Sequence, residues 1–227
     1  MAEETVAMAE GLDGGLCAGF LELLPISGAA ISVFSGLAPE TMVCATNAVA
    51  ARIDELQFDL GEGPRWEALQ NRRPVLIADV RNRPHGDWPV FAKSLLDLDV
   101  SALYVFPLAL GALDVGVVEL YSSEVGPLSR EEQATAFELA NATVWRLLPQ
   151  LLTIAPGGAA SDIPPDGSPL SRREVHQATG MVLAQAGTSA REALLLMQAH
   201  AFAQGRTVRD VAREVVSRTL DFTPGGD

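Results

Sequence analysis

Arginine side chains concentrate near the carboxyl end of this sequence, and the chemistry they offer is the binding of anions. Residues 168–227 hold 7 arginines against 6 acidic residues, whereas residues 1–167 hold 9 basic against 23 acidic residues. The two parts therefore carry net charges of +1 and −14, which together give the −13 of the whole chain. Because phosphate binding depends on cations, only the C-terminal part suits a polyanion, and the asymmetry predicts separate functions for the two parts.

The first group of candidate anion-binding residues lies on a segment with helical periodicity. Arg172, His176 and Thr179 fall about one turn apart on one face of this segment, and Arg173 lies beside them. An arginine, an imidazole and a hydroxyl on one face can bind phosphate oxygens and the polar edges of unpaired bases. The spacing therefore predicts a nucleic-acid contact surface.

Arg206 and Arg209 form a second group, at the start of a later helical segment. Backbone amides at a helix start also favour phosphate, which strengthens the interpretation. Charge alone leaves an ordinary alternative, because surface arginines are common. In that alternative the arginines belong to solvated helix faces and pair with acidic neighbours such as Glu174, Asp210 and Glu214.

Residue groupings typical of catalysis or metal binding do not occur in the sequence. Cys17 and Cys44 are far apart, and His85, His176 and His200 are scattered, so we predict no disulfide framework, metal site or cofactor. No phosphate-binding loop, catalytic triad or paired-carboxylate site is visible. We therefore expect that the protein is not an enzyme and has no catalytic residues.

Hydropathy patterning predicts a protein that does not enter a membrane. No apolar stretch approaches the roughly 20 residues that a spanning helix needs. The first ten residues, 1–10, contain three glutamates and no cation, so they lack the positive region of a signal peptide. We expect a cytoplasmic protein.

The N-terminal part alternates between strand and helix patterns up to about residue 152. In chain order we predict a helix over Leu12–Leu24, strands over Gly28–Phe34 and Thr41–Ala45, helices over Ala48–Leu56 and from Pro64, a strand over Pro74–Ala78, a helix over Trp88–Leu98, a hairpin of Leu103–Leu110 and Val115–Tyr121, and a closing helix from Arg130 to Leu152. Ser129 and Glu132 form a capping-box signature before the closing helix.

Residues 153–168 are rich in Pro and Gly and predict a linker, with a long surface loop as the alternative.

This order of elements, together with three short segments, resembles a GAF domain over residues 5–152. Phe58–Pro64, Trp66–Leu69 and Arg73–Leu76 are similar to the actinobacterial GAF modules in particular. The resemblance implies an α+β sensor fold, an antiparallel sheet flanked by helices, that responds to an unknown small-molecule or protein signal. Many of those modules have a cysteine where this chain has Arg65, so we expect no thiol function there.

Residues 169–221 predict three helices with capping residues at their boundaries. The helices open at Ser171 with Glu174, Ser189 with Glu192, and Thr207 with Asp210, and the first two end at Gly187 and Gly205. The predicted shared core consists of Val175, Ala178, Val182, Ala193, Leu194, Met197, Ala201, Val208, Val211, Ala212 and Val215.

Four segments of this part, Val175–Val182, Ser189–Ala193, Met197–Phe202 and Thr207–Ala212, resemble an ANTAR domain in order and spacing. The resemblance implies an all-α three-helix module that binds a pair of short RNA hairpins in leader transcripts and regulates transcription antitermination. The candidate RNA-binding residues are then Arg172, Arg173, His176, Thr179, Gln198, Arg206 and Arg209. The family often has a lysine at the position of Thr179 and an arginine at that of Gln198. We therefore expect RNA binding to be weak or to require a homodimer.

Three other functions remain open from the sequence. The first is a dimeric interaction and sensor module without RNA binding. The second is a thiol-dependent reductase of free methionine sulfoxide, as some GAF domains are, which would use Cys17 or Cys44. The third is a DNA-binding helix-turn-helix regulator that begins near Thr207, although no basic recognition helix follows it.

The sequence does not identify the signal. Phe34, Tyr104 and Phe106 are candidates for an apolar pocket, with plain core as the alternative, and His85 is a candidate haem ligand, with a tight loop as the alternative. We expect a signal at the sheet to shift the helix ending near Leu152 and so to change the spacing of two RNA-binding modules in a dimer.

Overall fold

A single antiparallel sheet organises the N-terminal part of the chain, and three helices form the C-terminal part. The structure, a computed structural model, describes residues 15–33, 40–82, 87–154 and 172–224, with only the backbone for 150–154. Its elements are α1 (Ala18–Leu23), β1 (Gly28–Val33), β2 (Thr41–Ala45), α2 (Ala48–Leu60), α3 (Pro64–Asn71), β3 (Val75–Ile77), α4 (Pro89–Leu95), β4 (Ala102–Leu110), β5 (Leu113–Ser122), α5 (Arg130–Ile154), α6 (Arg173–Ala186), α7 (Ala190–Ala203) and α8 (Val208–Val216). We call residues 15–154 the N-terminal module and residues 172–224 the C-terminal module.

The predicted α+β fold class is confirmed for the N-terminal module. Its five strands pair antiparallel in the order β2-β1-β5-β4-β3. The predicted hairpin is the β4–β5 pair, which turns at Gly111. The first two residues of the predicted linker, 153 and 154, belong to α5 instead. The rest of the predicted linker, its neighbour Ser171, and the candidate pocket and haem residues Phe34 and His85 lie outside the described residues.

Alternation along the strands divides the core between the two faces of the sheet. In β4, Tyr104, Phe106 and Leu108 face α1 and α5, whereas Leu103 and Val105 face α2, α3 and α4. Both sets are buried, which is why β4 reads as a continuous apolar run rather than as an alternating one. Tyr104 and Phe106 therefore belong to the packed core, as the alternative interpretation had it.

The central pairing of β1 with β5 depends on a glycine. A Cβ atom at Gly116 would lie 2.1 Å from the backbone oxygen of Ser32, much closer than any real contact. Any other residue at position 116 would push the two strands apart. This close approach fixes the register of the two strands. Ser32 of β1 then lies opposite Val117 of β5, and Glu119 lies two residues farther along β5.

The expectation that the two cysteines have no partner is wrong. Cys17, next to α1, and Cys44, in β2, form a disulfide bond with their Cα atoms 6.1 Å apart. They are 27 residues apart in the chain, but the pairing of Cys44 with Ile31 brings β2 under α1. Both side chains are buried, so a thiol-dependent reaction would first require reduction of this bond.

The C-terminal module has the predicted all-α architecture. Ser189 and Glu192 form a complete capping box at the start of α7, and the Thr207 hydroxyl caps α8. Gly187 and Gly205 both have a φ of +63°, the left-handed conformation that ends a helix. All the predicted core residues are confirmed, most of them fully buried, and Leu194 packs against the others.

Candidate functional site

Arg172, the first of the candidate RNA-binding residues, is buried against the N-terminal module. It precedes α6, and only 4% of it is exposed. Its Nη1 donates to Glu40 Oε1 at 2.6 Å and its Nη2 donates to Asp54 Oδ2 at 2.5 Å. Its guanidinium also lies 3.9 Å from the centre of the Phe58 ring. The same cation therefore has two carboxylate partners and one aromatic partner, all from the other module.

Arg65 extends this contact into the interior of the N-terminal module. It is fully buried, and its Nε and Nη2 each donate to a different oxygen of Glu119 at 3.1 Å. Its Nη2 also donates to Asp54, and its Nη1 donates to Glu40 Oε1 at 2.9 Å. We call Glu40, Asp54, Arg65, Glu119 and Arg172 the ionic cluster. A single oxygen of Glu40 thus accepts from both arginines of the cluster.

Strand β5 and helix α2 position two of the three acidic members of the ionic cluster. Glu119 lies in the middle of β5 on the face that packs against α2 and α3, and Asp54 reaches the same face from α2. Ser32, on the neighbouring strand, donates its hydroxyl to Asp54 Oδ1 at 2.5 Å. The side-chain nitrogen of Gln57 donates to Glu119, and the side-chain oxygen of Gln57 accepts the backbone N–H of Arg65 at 2.9 Å. The buried charges are therefore hydrogen-bonded as well as paired, as buried charges need to be.

The charges of the ionic cluster do not balance, since three carboxylates meet two guanidiniums. Burial alone would raise the pKa of Asp54, but Arg65 and Arg172 outweigh it and hold that pKa below its ordinary value. Burial raises the pKa of Glu119 more than Arg65 lowers it. Without Arg172, the cluster would keep the same carboxylates with only Arg65 to neutralise them.

Three further hydrogen bonds join the two modules beside the ionic cluster. The His176 Nε2 lies 3.0 Å from the backbone oxygen of Glu40, and burial lowers the pKa of this imidazole. Gln198 donates its amide to the backbone oxygen of Phe58 at 2.7 Å. Asp59 accepts the backbone N–H of Val208 at 3.1 Å. Two more candidate RNA-binding residues, His176 and Gln198, therefore contact the N-terminal module.

The end of α2 is shaped to receive the C-terminal module. The Phe58 side chain is 4% exposed and packs with the core residues of α6, α7 and α8 rather than with its own module. Gly61 ends α2 with a φ of +63°, and a Cβ atom there would lie 3.4 Å from the Gln198 side chain. The left-handed backbone therefore favours glycine at this point, whereas a Cβ atom would make only an ordinary contact with Gln198.

The other four candidate RNA-binding residues lie on more open surface. Arg173 is exposed, and Thr179, Arg206 and Arg209 are partly exposed. The Thr179 hydroxyl donates to the backbone oxygen of Val175, one turn earlier, at 2.7 Å. Arg206 donates to Glu214 at 2.7 Å, a pairing that the alternative interpretation of the arginines anticipated.

The main partners of Arg172 were not identified from the sequence. Glu40, Asp54 and Phe58 lie more than 100 positions before it, and 132 positions separate Arg172 from Glu40. The abundance of acidic residues in the N-terminal part was visible, but no pattern shows which of them are buried. The one local signal was Asp54, an acidic residue on the apolar face of the predicted helix from Ala48.

Neither a metal site nor a membrane span is found in the described parts of the chain. No group of histidine, cysteine and acidic side chains there is arranged to hold a metal ion. No described helix combines the length and the apolar character needed to cross a bilayer.

The family model of the GAF domain matches residues 7–148, which is more than half of the chain. The chain belongs to the GAF domain family. The model of the ANTAR domain matches residues 169–216, so an ANTAR domain follows the GAF domain. Both are regulatory domains, and this pair places the protein among signal-regulated factors of transcription antitermination.

Solved structures share the fold of the GAF domain. A domain assigned to a two-component sensor histidine kinase protein of Sinorhizobium meliloti 1021 superposes with a TM-score of 0.50 at 16% identity, over 62% of this chain and 92% of that one. The GAF domain of a two-component sensor histidine kinase from Bacillus halodurans has a TM-score of 0.49 at 12% identity, over 63% of this chain and 95% of that one. A search of curated proteins found no significant match. At these identities the likeness concerns the fold alone.

Proposed function

We propose that this protein regulates transcription antitermination by binding paired RNA hairpins through its ANTAR domain, under the control of a signal received by its GAF domain. The signal is a small molecule or a protein, and the regulator acts in the cytoplasm, where transcripts are made. The protein works as a regulator and carries out no catalysis. The ANTAR match over residues 169–216 is the observation that carries this proposal.

The geometry of the ANTAR domain supports RNA binding through the start of α8. Arg206 lies next to the Thr207 cap, and Arg209 lies in the first turn, where backbone amides also attract phosphate. The partner of Arg206 is Glu214, in an ion pair about one third exposed. Exposed ion pairs contribute little to stability, so a phosphate can replace Glu214 at small cost.

The test is replacement of both arginines, Arg206→Ala with Arg209→Ala, in the full chain. We expect the double variant to lose binding to an RNA with two adjacent hairpins. We also expect the slope of log Kd against log salt to fall by about 0.7 to 0.9 for each phosphate that the protein no longer neutralises. Filter binding over a range of salt concentrations measures both quantities. Duplex DNA of the same length distinguishes the helix-turn-helix alternative.

Arg213→Ala is the control, because it removes one arginine from an exposed position of α8, the helix that also holds Arg209. RNA retention that is equal in the wild type, the control and the double variant would contradict the proposal. If that equal retention is only at background level, the dimeric sensor without RNA binding becomes the better description. If the proposal holds, sequencing the RNA that copurifies with the wild type identifies the target transcripts.

We also propose that the protein is a homodimer through the long helix α5. Phe137 and Trp145, eight residues apart on one helical face, are 49% and 62% exposed. Leu21 and Leu23 on the neighbouring helix α1 are exposed as well. Large apolar side chains in such an arrangement are typical of a protein–protein interface.

A further inference from the structure

The candidate RNA-binding residues fall into two groups by their contacts. Arg172, His176 and Gln198 contact the GAF domain and are partly or fully buried. Arg173, in contrast, is exposed, and Arg206 is partly exposed and pairs with Glu214 of its own domain. In this arrangement the ANTAR domain offers an RNA only part of its candidate surface.

The groups that surround Arg172 match those that an RNA would offer it. A guanidinium binds carboxylate and phosphate oxygens in the same way, with short charge-assisted hydrogen bonds. Its flat face stacks on an aromatic ring as it does on a nucleobase. Glu40 and Asp54 supply the anionic oxygens, and Phe58 supplies the ring.

We propose that the GAF domain is an internal competitor of RNA, which occupies the Arg172–His176–Gln198 face of the ANTAR domain, so that docking of the domains and RNA binding exclude one another. This inference rests on the proposed RNA-binding function. It names the regulation of that site: the RNA-binding surface is covered when the domains are docked and becomes complete when they separate.

The composition of the contact allows it to be reversible. Besides the packing of Phe58, five ion pairs and hydrogen bonds join the described residues of the two domains at this face, and water and RNA can replace them. The excess of carboxylates holds Arg172 in place, because its departure leaves Asp54 and Glu40 with Arg65 alone. Since the domains are covalently joined, their docking is intramolecular and does not depend on protein concentration.

The amide of Val208 reports on docking independently of RNA. It is the first residue of α8, and the first N–H groups of a helix have no partner within the helix. Its hydrogen bond goes to Asp59 of the GAF domain instead. Hydrogen exchange at Val208 therefore accelerates when the domains separate.

The experiment compares full-length wild type, Glu40→Gln and Glu124→Gln. Glu40→Gln removes one of the two carboxylates that pair with Arg172, whereas Arg65 still pairs with Asp54 and Glu119. Glu124→Gln makes the same change of charge in the exposed loop between β5 and α5. For each protein, the exchange rate of Val208 is measured without RNA, and the Kd is measured for an RNA with two adjacent hairpins and for a scrambled RNA that does not pair.

We expect Glu40→Gln to accelerate the exchange of Val208 and to bind the hairpin RNA about fivefold more tightly or better. The control is expected to resemble the wild type in both measurements. Saturating hairpin RNA is also expected to accelerate the exchange of Val208 in the wild type, whereas the scrambled RNA leaves it unchanged.

Three results would overturn the inference. The first is unchanged Val208 exchange in Glu40→Gln, which shows that this carboxylate does not hold the domains together. The second is faster exchange with an unchanged Kd, which leaves RNA binding intact as a function but removes the competition. The third is binding of the hairpin RNA by none of the three proteins, which contradicts the proposed function itself, whereas the exchange rates still report whether the domains dock.

Discussion

Two titratable residues at the contact between the domains respond to pH in opposite directions. Burial raises the pKa of Asp59 from 3.8 to about 6, although the Val208 N–H that it accepts and the nearby Arg52 and Arg172 lower it. Burial lowers the pKa of His176 below its ordinary value of 6.5. Burial at this contact therefore favours the protonated form of Asp59 and the neutral form of His176.

The variant His176→Gln isolates the effect of Asp59. Because the docked pKa of Asp59 is raised, its contribution to docking is present at low pH and is lost as the pH rises through about 6. We expect docking of this variant to strengthen by up to about tenfold between pH 7 and pH 5. The measurement is the protection of the Val208 amide, corrected for the intrinsic pH dependence of exchange.

Asp59→Asn is the companion variant, and its expected trend is the reverse. Of these two residues only His176 then titrates, and its lowered pKa means that its contribution to docking is lost as the pH falls below 6.5. Equal trends in the two variants would show that neither side chain changes its environment on docking.

Reasoning from sequence identified which residues could bind an anion but not which anion they meet in this structure. Arg172 and His176 were named from their types and spacing and Gln198 from the ANTAR resemblance, and all three make polar contacts with the GAF domain. An arginine on a short polar segment is normally exposed. Its burial depends on Asp54 and Glu40, whose proximity is a property of the folded chain alone.

At the scale of elements, local patterns were the most informative. The strand Thr41–Ala45 and the start of the helix at Ala48 were predicted at the residues where they occur. The capping pair Ser129 and Glu132 makes both of its hydrogen bonds at the start of α5. Such signals work because a helix start is decided by a few neighbouring side chains.

The disulfide bond was not predicted, because sequence spacing says nothing about which elements lie one above the other. It connects the region of α1 to β2, the edge strand of the sheet. We expect replacement of Cys17 and Cys44 by Ala to lower the free energy of unfolding by about 2 to 4 kcal/mol. Urea unfolding monitored by circular dichroism gives this value.

A reducing agent provides the control for this prediction. Dithiothreitol is expected to destabilise the wild type by a similar amount and to leave the double alanine variant unchanged. Equal midpoints for oxidised and reduced wild type would contradict the expected contribution of the bond.

The exposed face of α5 gives a prediction about assembly. Trp145→Glu places a charge on the apolar surface that Phe137 and Trp145 form, and we expect this variant to be monomeric, whereas the wild type is expected to be a dimer. Sedimentation velocity at several concentrations measures the change. Glu124→Gln, in the exposed loop before α5, is expected to leave the dimer intact.

In the whole molecule, the uneven distribution of charge along the chain is partly explained by buried ion pairs. The negative charge of the N-terminal part indicated that this part is unsuited to bind RNA. In the structure, three of its carboxylates form ion pairs with Arg65 and Arg172. The two-domain organisation was predictable from composition and capping. The docking of one domain on the other was not, because it depends on a few long-range contacts such as Phe58 with the ANTAR core.

A single oxygen of Glu40 accepts hydrogen bonds from two arginines, and this limits how the sequence can change during evolution. Arg65 pairs with carboxylates in the interior of the GAF domain, and Arg172 connects the ANTAR domain to it. A change at position 40 reaches both at once, so related chains should conserve these three positions jointly or exchange them jointly. If the ANTAR domain were fused to a different GAF domain that lacks this acidic residue, Arg172 would lose the partner that Glu40 provides. We expect RNA binding by such a chimera not to be restrained by docking of the domains.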